Sequence, residues 1–169
     1  MHLDYLTARL RSQAETIQSL VQGVTNGQAG WKPAPDQWSI LEVINHLADE
    51  EIEDFRAHLD LILHHTAQPW PSIDPQAWVV ECGYNRRAIG ESLARFLAAR
   101  RESLDWLRRL TSPDWDAMVE APFGRISAGD MADSWSAHDL LHARQLVELH
   151  WAYATQQVAP YRVEYAGAW

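Results

Sequence analysis

Cysteine is almost missing from this chain: Cys82 stands alone among 169 residues, which excludes an intrachain disulfide and fits a reducing compartment. Basic runs are missing too. With 14 Lys and Arg against 23 Asp and Glu, the formal charge is −9, so the sequence carries no cationic footprint for a nucleic acid or an anionic membrane surface. No apolar stretch approaches the roughly 20 residues needed to span a bilayer. The first residues are amphipathic and charged rather than a secretory h-region. Strand signals are poor except for a short run at Val79-Val80, and neither repeats nor sustained heptads occur. What survives these exclusions is a cytoplasmic globular chain without a nucleic-acid or membrane partner, of a length that suits one domain over 1-169 with a proper core.

Helical periodicity is abundant. The first stretch, about 1-22, lines up Leu3, Leu6, Leu10, Ile17 and Val21 on one face and stops in the Gly23–Gly30 region. The second, about 39-65, opens with Ser39-x-x-Glu42, a capping box that satisfies two orphan helix donors. A proline-rich connection follows. The third, about 85-110, turns Ile89, Phe96, Leu104 and Leu107 inward and ends at Ser112-Pro113. The fourth covers about 128-156, after a short mixed stretch with a turn at Phe123-Gly124, and an irregular tail follows 160. Four long amphipathic helices should bury their faces together, so the expected fold is all-α, a four-helix bundle. The long second and third connections allow a crossover topology. Nine Trp supply large side chains for a core, a pocket or an interface.

The inward stripe of the last helix reads Met131, Trp135, His138, His142, Gln145, Leu149, Tyr153. Two imidazoles and an amide sit where a bundle ordinarily places Leu, and burying them unsatisfied would be costly. His138 and His142 are four residues apart, about 6 Å along the axis, and can ligate one metal ion together. A hydrogen-bonded pair satisfied through Gln145 and water explains them equally well. A metal needs a third ligand, and His46, His58, His64, His65, His150 and carboxylates are available. On an unbroken helix at ~100° per residue, His46 falls roughly 100° or more from the centre of its apolar arc. Periodicity therefore reads it as half-exposed and favours His58. His150 is rotated away from His142 by about 80°.

Two segments carry a family resemblance: Trp38-Ser39-Ile40-Leu41-Glu42-Val43-Ile44-Asn45-His46-Leu47 and Ser134-Trp135-Ser136-Ala137-His138-Asp139-Leu140-Leu141-His142-Ala143-Arg144-Gln145-Leu146. In this order they resemble the Trp-Ser-x-x-Glu-x-x-x-His-Leu opening of helix two and the late His-x-x-x-His helix of the DinB-like superfamily, which includes YfiT-type bacterial thiol S-transferases. The resemblance implies a four-helix bundle of non-simple helix order, usually a homodimer. It also implies a divalent metal, zinc or nickel foremost, on His46, His138 and His142, which reverses the periodicity reading of His46. Three imidazoles with open positions make a catalytic type of site. The chemistry it implies is metal-assisted activation of a low-molecular-weight thiol, or of water, against a small-molecule electrophile. The alternative is a stress-response or small-molecule-binding bundle without turnover. Glu50, one turn after His46, is the candidate for proton transfer or for orienting a ligand. Trp78 and Tyr84 are candidate walls of a pocket, and Arg86 and Arg87 can serve either a cofactor carboxylate or helix-surface ion pairs.

Overall fold

The computed structural model describes residues 3–167. The helices are α1 (Leu3–Val21), α2 (Asn26–Gly30), α3 (Ile40–Asp49), α4 (Arg56–His64), α5 (Pro75–Glu81), α6 (Ile89–Arg109) and α7 (Ala128–Gln157). A six-residue π-helical segment, Glu50–Phe55, joins α3 to α4 without a break. Strands β1 (Met118–Ala121) and β2 (Gly124–Ser127) pair antiparallel, Met118 opposite Ser127 and Ala121 opposite Gly124. None of the described helices is long and apolar enough to cross a membrane.

Local sequence signals set most boundaries. Ser39 caps α3, accepting from the Glu42 amide while the Glu42 carboxylate accepts from the Ser39 amide; Ser127 and Asp130 repeat the box at α7. Such caps contribute about 1 kcal/mol each. Asp74 caps α5, whose first residue is Pro75, a position where the missing amide hydrogen costs nothing. The strand expected at Val79-Val80 is therefore a helix: the cap and Pro75 decide, and two β-branched residues do not outweigh them. The stretch before α7 departs from expectation as well, forming a hairpin. Its turn at Phe123-Gly124 is as read, and Gly124 takes a φ of 121° that a side chain rarely adopts.

Packing gives the bundle its order. The main interfaces of α1 are with α6 and α7, and the α3–α4 rod lies against α6 and α7. The first and second long helices are thus diagonal rather than adjacent, the non-simple order expected. Two apolar clusters fill the interior. One gathers Ile17, Ile44, Phe96 and Leu149, the other Leu10, Leu59, Leu107 and Trp135.

Between them lies a polar layer centred on Arg100, which is 2% exposed. Its Nε and Nη2 donate to Glu51 at 2.7 and 2.8 Å, its Nη1 and Nη2 to Asp139 at 2.7 and 2.9 Å, and its Nη1 also to the Leu10 carbonyl at 2.7 Å. All five guanidinium hydrogens are used. Trp135 Nε1 donates to Glu51 Oε2 at 3.0 Å. One residue thereby ties together α1, the π segment, α6 and α7. Glu51 follows Glu50 and Asp139 follows His138, so the Arg100 cluster also fixes the rotation of the two segments that carry the candidate site.

Candidate metal centre

The histidine expectations resolve into one cluster. His46, from α3, meets His138 and His142, from α7, through their Nε2 atoms: 3.3 Å from His46 to His138, 3.1 Å from His46 to His142, and 3.0 Å between His138 and His142. Among the described residues this is the group whose ligand atoms could hold a metal ion. The other histidines among the described residues are engaged elsewhere. His58 pairs with Asp54 at 2.6 Å, His64 and His65 face Asp60, and His150 Nε2 donates to the Leu20 carbonyl at 2.6 Å.

His46 is buried, against its periodicity reading, for two reasons. Every residue from Ile40 to Ala48 is buried, so α3 has no solvent face on which to be half-exposed. The π segment also adds about one residue to the turn, which re-phases the helix by ~100° between its two halves. An apolar arc averaged over both halves therefore points the wrong way for the first. The widened turn brings Glu50, Glu51 and Phe55 inward together.

The donor set fits a divalent cation. Two nitrogens bound at 2.0–2.1 Å to one tetrahedral ion stand about 3.3 Å apart, and the three observed separations are 3.0–3.3 Å. Gln145 Oε1 accepts from His142 Nδ1 at 2.8 Å, which leaves the Nε2 lone pair facing the cluster. Burial, then the neighbouring imidazoles His142 and His138, holds His46 down to about 2. Burial first, then His142, brings His138 to about 3, and burial lowers His142 as well. The rings stay neutral at physiological pH, the form that binds a metal.

Glu50 lies on the same face, 4% exposed. Its Oε1 is 3.8 Å from His46 Nδ1, and neither atom has a hydrogen-bond partner. Burial, then interaction with the Asp54 carboxylate, pushes Glu50 up to about 9, so it carries a proton near neutral pH. Asp54 itself is held low despite burial by its hydrogen bond with His58.

The cluster forms the floor of a cavity of about 940 Å³. Trp38 closes one side, edge-on to His46 at 4.8 Å and parallel to His142 at 6.4 Å. Asp36, Pro75, Gln76, Glu148 and Trp151 contribute further walls. Trp78 and Tyr84 do not line it. From α5 only Pro75 and Gln76 reach the cavity. Tyr84 is fully buried, with its hydroxyl donating to Asp49. Arg87 donates to Asn45 Oδ1 at 2.8 Å and to the Cys82 carbonyl at 3.2 Å. Sequence reasoning missed Asp36, Trp38, Glu148 and Trp151 as wall residues. Trp38 had a usable signal, since it stands directly before the cap of the helix that carries His46.

A profile described as the DinB superfamily matches residues 9–146. Among solved structures, YfiT from Bacillus subtilis, described as a probable metal-dependent hydrolase with an unusual four-helix bundle topology, aligns with a TM-score of 0.76 and 19% identity. That alignment covers 87% of this chain and 85% of YfiT. At this identity the likeness is one of fold. No curated protein matches the sequence.

Proposed function

The chain belongs to the DinB superfamily, and from that premise we propose that it is a divalent-metal-dependent enzyme that transfers a low-molecular-weight thiol to a small electrophile, with His46, His138 and His142 as the metal ligands. One observation carries the reading: three neutral imidazole Nε2 atoms converge at 3.0–3.3 Å on the floor of an open cavity. A closed structural site would instead present four protein ligands. A divalent ion held there, zinc or nickel foremost, supplies Lewis acidity that lowers the pKa of a thiol or water bound beside it.

The protein's own groups do the rest. Gln145 keeps the His142 ring in the ligating tautomer. Glu50, buried with its Oε1 3.8 Å from His46 Nδ1, is the group placed to pass a proton to a leaving group or to an anion that develops on the electrophile. Trp38 and Trp151 give the substrate apolar walls that exclude water. The same reading includes a cytoplasmic location and a homodimer, which light scattering measures directly.

Elemental analysis of chelator-free protein beside a His142→Ala variant is the test of the site. We expect about one divalent ion per chain, lost in the variant, followed by thiol-dependent consumption of an alkyl halide or epoxide by the loaded protein. Thiol-independent ester or amide cleavage would move the assignment to a hydrolase. Metal bound without turnover of either kind would leave a ligand-binding bundle.

A further inference from the structure

His58 places one ring between two acceptors. It is fully buried near the start of α4, with Nδ1 2.6 Å from Asp54 Oδ1 and Nε2 3.2 Å from the Pro71 carbonyl oxygen. Trp70 lies flat on the ring, with centroids 4.0 Å apart and an interplanar angle of 16°. Donating from both nitrogens requires the imidazolium, since a neutral imidazole has one N–H. An imidazolium is also the form that an indole face attracts. Burial opposes the charge, but the bond to Asp54, the Pro71 carbonyl and the Asp54 charge outweigh it and raise the ring above its ordinary value. Asp54 is the charged group against the ring. The other surfaces around it, Trp70 and Pro71, Phe123 and Ile126 of the hairpin, and Met131 and Ser134 of α7, do not titrate. Behind Asp54 stand Glu50 and His138, which act on the Asp54 carboxylate, while His64 and His65 face Asp60 instead.

The two residues that His58 holds anchor a connection that ends in the cavity. Residues 65–74 link α4 to α5, and most of them are exposed. Between Gln68, whose amide bonds the His65 carbonyl, and Asp74, which caps α5, the bond that reaches the bundle is the one from His58 to Pro71. Trp70 adds its stack on His58 and an edge contact with Phe123 at 5.7 Å. Shortly after Pro71 come Pro75 and Gln76, which line the cavity above the histidine cluster.

We infer that residues 65–74 form a proton-controlled strap: while His58 is charged it holds Trp70 and Pro71, and its loss of a proton frees them and loosens the Pro75 and Gln76 wall of the cavity. A neutral ring can donate to Asp54 or to Pro71 but not to both. The carboxylate, closer and charged, keeps the hydrogen, and the Nε2 lone pair then points at the Pro71 carbonyl oxygen. The anchor is complete at low pH and is lost as pH rises through the raised His58 value. This behaviour belongs to the wall of the cavity and depends on neither the metal nor a particular substrate.

Nitroxide labels report the strap and the wall separately. Cys82→Ser removes the native thiol, and Ser72→Cys or Gln76→Cys, each at an exposed position, places a single label. Electron paramagnetic resonance spectra are recorded from about pH 5.5 to about pH 9, the range around a histidine, on protein as purified and after chelator treatment. The His58 Cε1–H resonance is followed in unlabelled protein under the same conditions. We expect the ratio of mobile to immobile label at both positions to rise at least about tenfold, the scale of one lost bond to a charged group, with the midpoint of the His58 resonance. Asp54→Asn should move both midpoints down together. His58→Gln, whose amide does not titrate, should abolish the transition. The melting temperature reports whether either variant keeps the fold, and the coincidence of midpoints in the parent decides the matter even where a variant unfolds. Label mobility that does not change through the His58 transition, a midpoint different from that of the resonance, or a transition that survives His58→Gln would overturn the inference. So would movement at Ser72 without movement at Gln76, which would uncouple strap from wall. A transition confined to the metal-containing or to the chelator-treated sample would assign it to the clustered histidines and would likewise overturn it.

Discussion

Replacing Arg100 with Met probes the polar layer between the two apolar clusters. The substitution is close to the arginine stem in volume but removes five donors at once. Glu51 and Asp139, each 1% exposed, would then face one another as buried carboxylates without a counter-charge. Burial already raises Asp139 above the ordinary carboxylate range even with Arg100 in place, because two acids share one guanidinium. Breaking a buried pair by deleting one partner costs about 3–5 kcal/mol. For a chain of this size that corresponds to a fall in melting temperature on the order of 10 °C. Most of the loss comes from the stranded charges, so it should be recoverable. A triple variant, Arg100→Met with Glu51→Gln and Asp139→Leu, keeps an acceptor for Trp135 Nε1 and leaves no uncompensated charge. It should regain more than half of the lost stability. Urea unfolding followed by tryptophan fluorescence measures both variants. A cost below about 1 kcal/mol for the single variant, or a triple variant no more stable than the single, would refute the argument that Arg100 neutralises desolvated carboxylates.

Two further outcomes follow from the site. Gln145→Leu removes the acceptor that fixes the His142 ring, and should weaken zinc binding about 10–100-fold in competition with a chelating dye; unchanged affinity would show that the tautomer is set by other means. His58 offers a pH signature. Burial lowers its pKa, but the hydrogen bond to Asp54, the Pro71 carbonyl and the Asp54 charge outweigh that and raise it above 6.5. Both ring nitrogens face acceptors, an arrangement that favours the imidazolium. Its contribution to stability is full below the unfolded pKa and is lost as pH rises through the raised folded value, while the Asp54 share is lost as pH falls through its own lowered value. The His58 Cε1–H resonance should titrate above pH 6.5, and Asp54→Asn should move its midpoint down. A midpoint at or below 6.5 in the parent protein would contradict the pair.

Much of the bundle is written in short-range sequence. The apolar spacing of α1, α6 and α7, the boxes at Ser39 and Ser127, and Pro75 after Asp74 act within one or two turns, so they can be read without knowing what packs where. The His138 and His142 pair belongs to this class, because four residues on one helix suffice to bring two rings together. His46 does not. Its approach to them depends on which helices are neighbours, on a π segment that re-phases the rod by about one residue, and on the Arg100 cluster that fixes the rotation of both partners. Here the resemblance of the two motifs succeeded where periodicity failed, since a motif carries the outcome of tertiary packing and a single-arc count does not. The cavity walls lie further still from local reading: Asp36, Trp38, Glu148 and Trp151 share no spacing rule, and Trp78 and Tyr84, equally aromatic and nearby in sequence, fall outside. Sequence alone determined the four long helices, their inward faces and two of the three clustered histidines, because those depend on contacts within a turn or two. Tertiary structure alone decided the place of the third histidine and the lining of the cavity, because both arise where segments distant along the chain are brought together by packing.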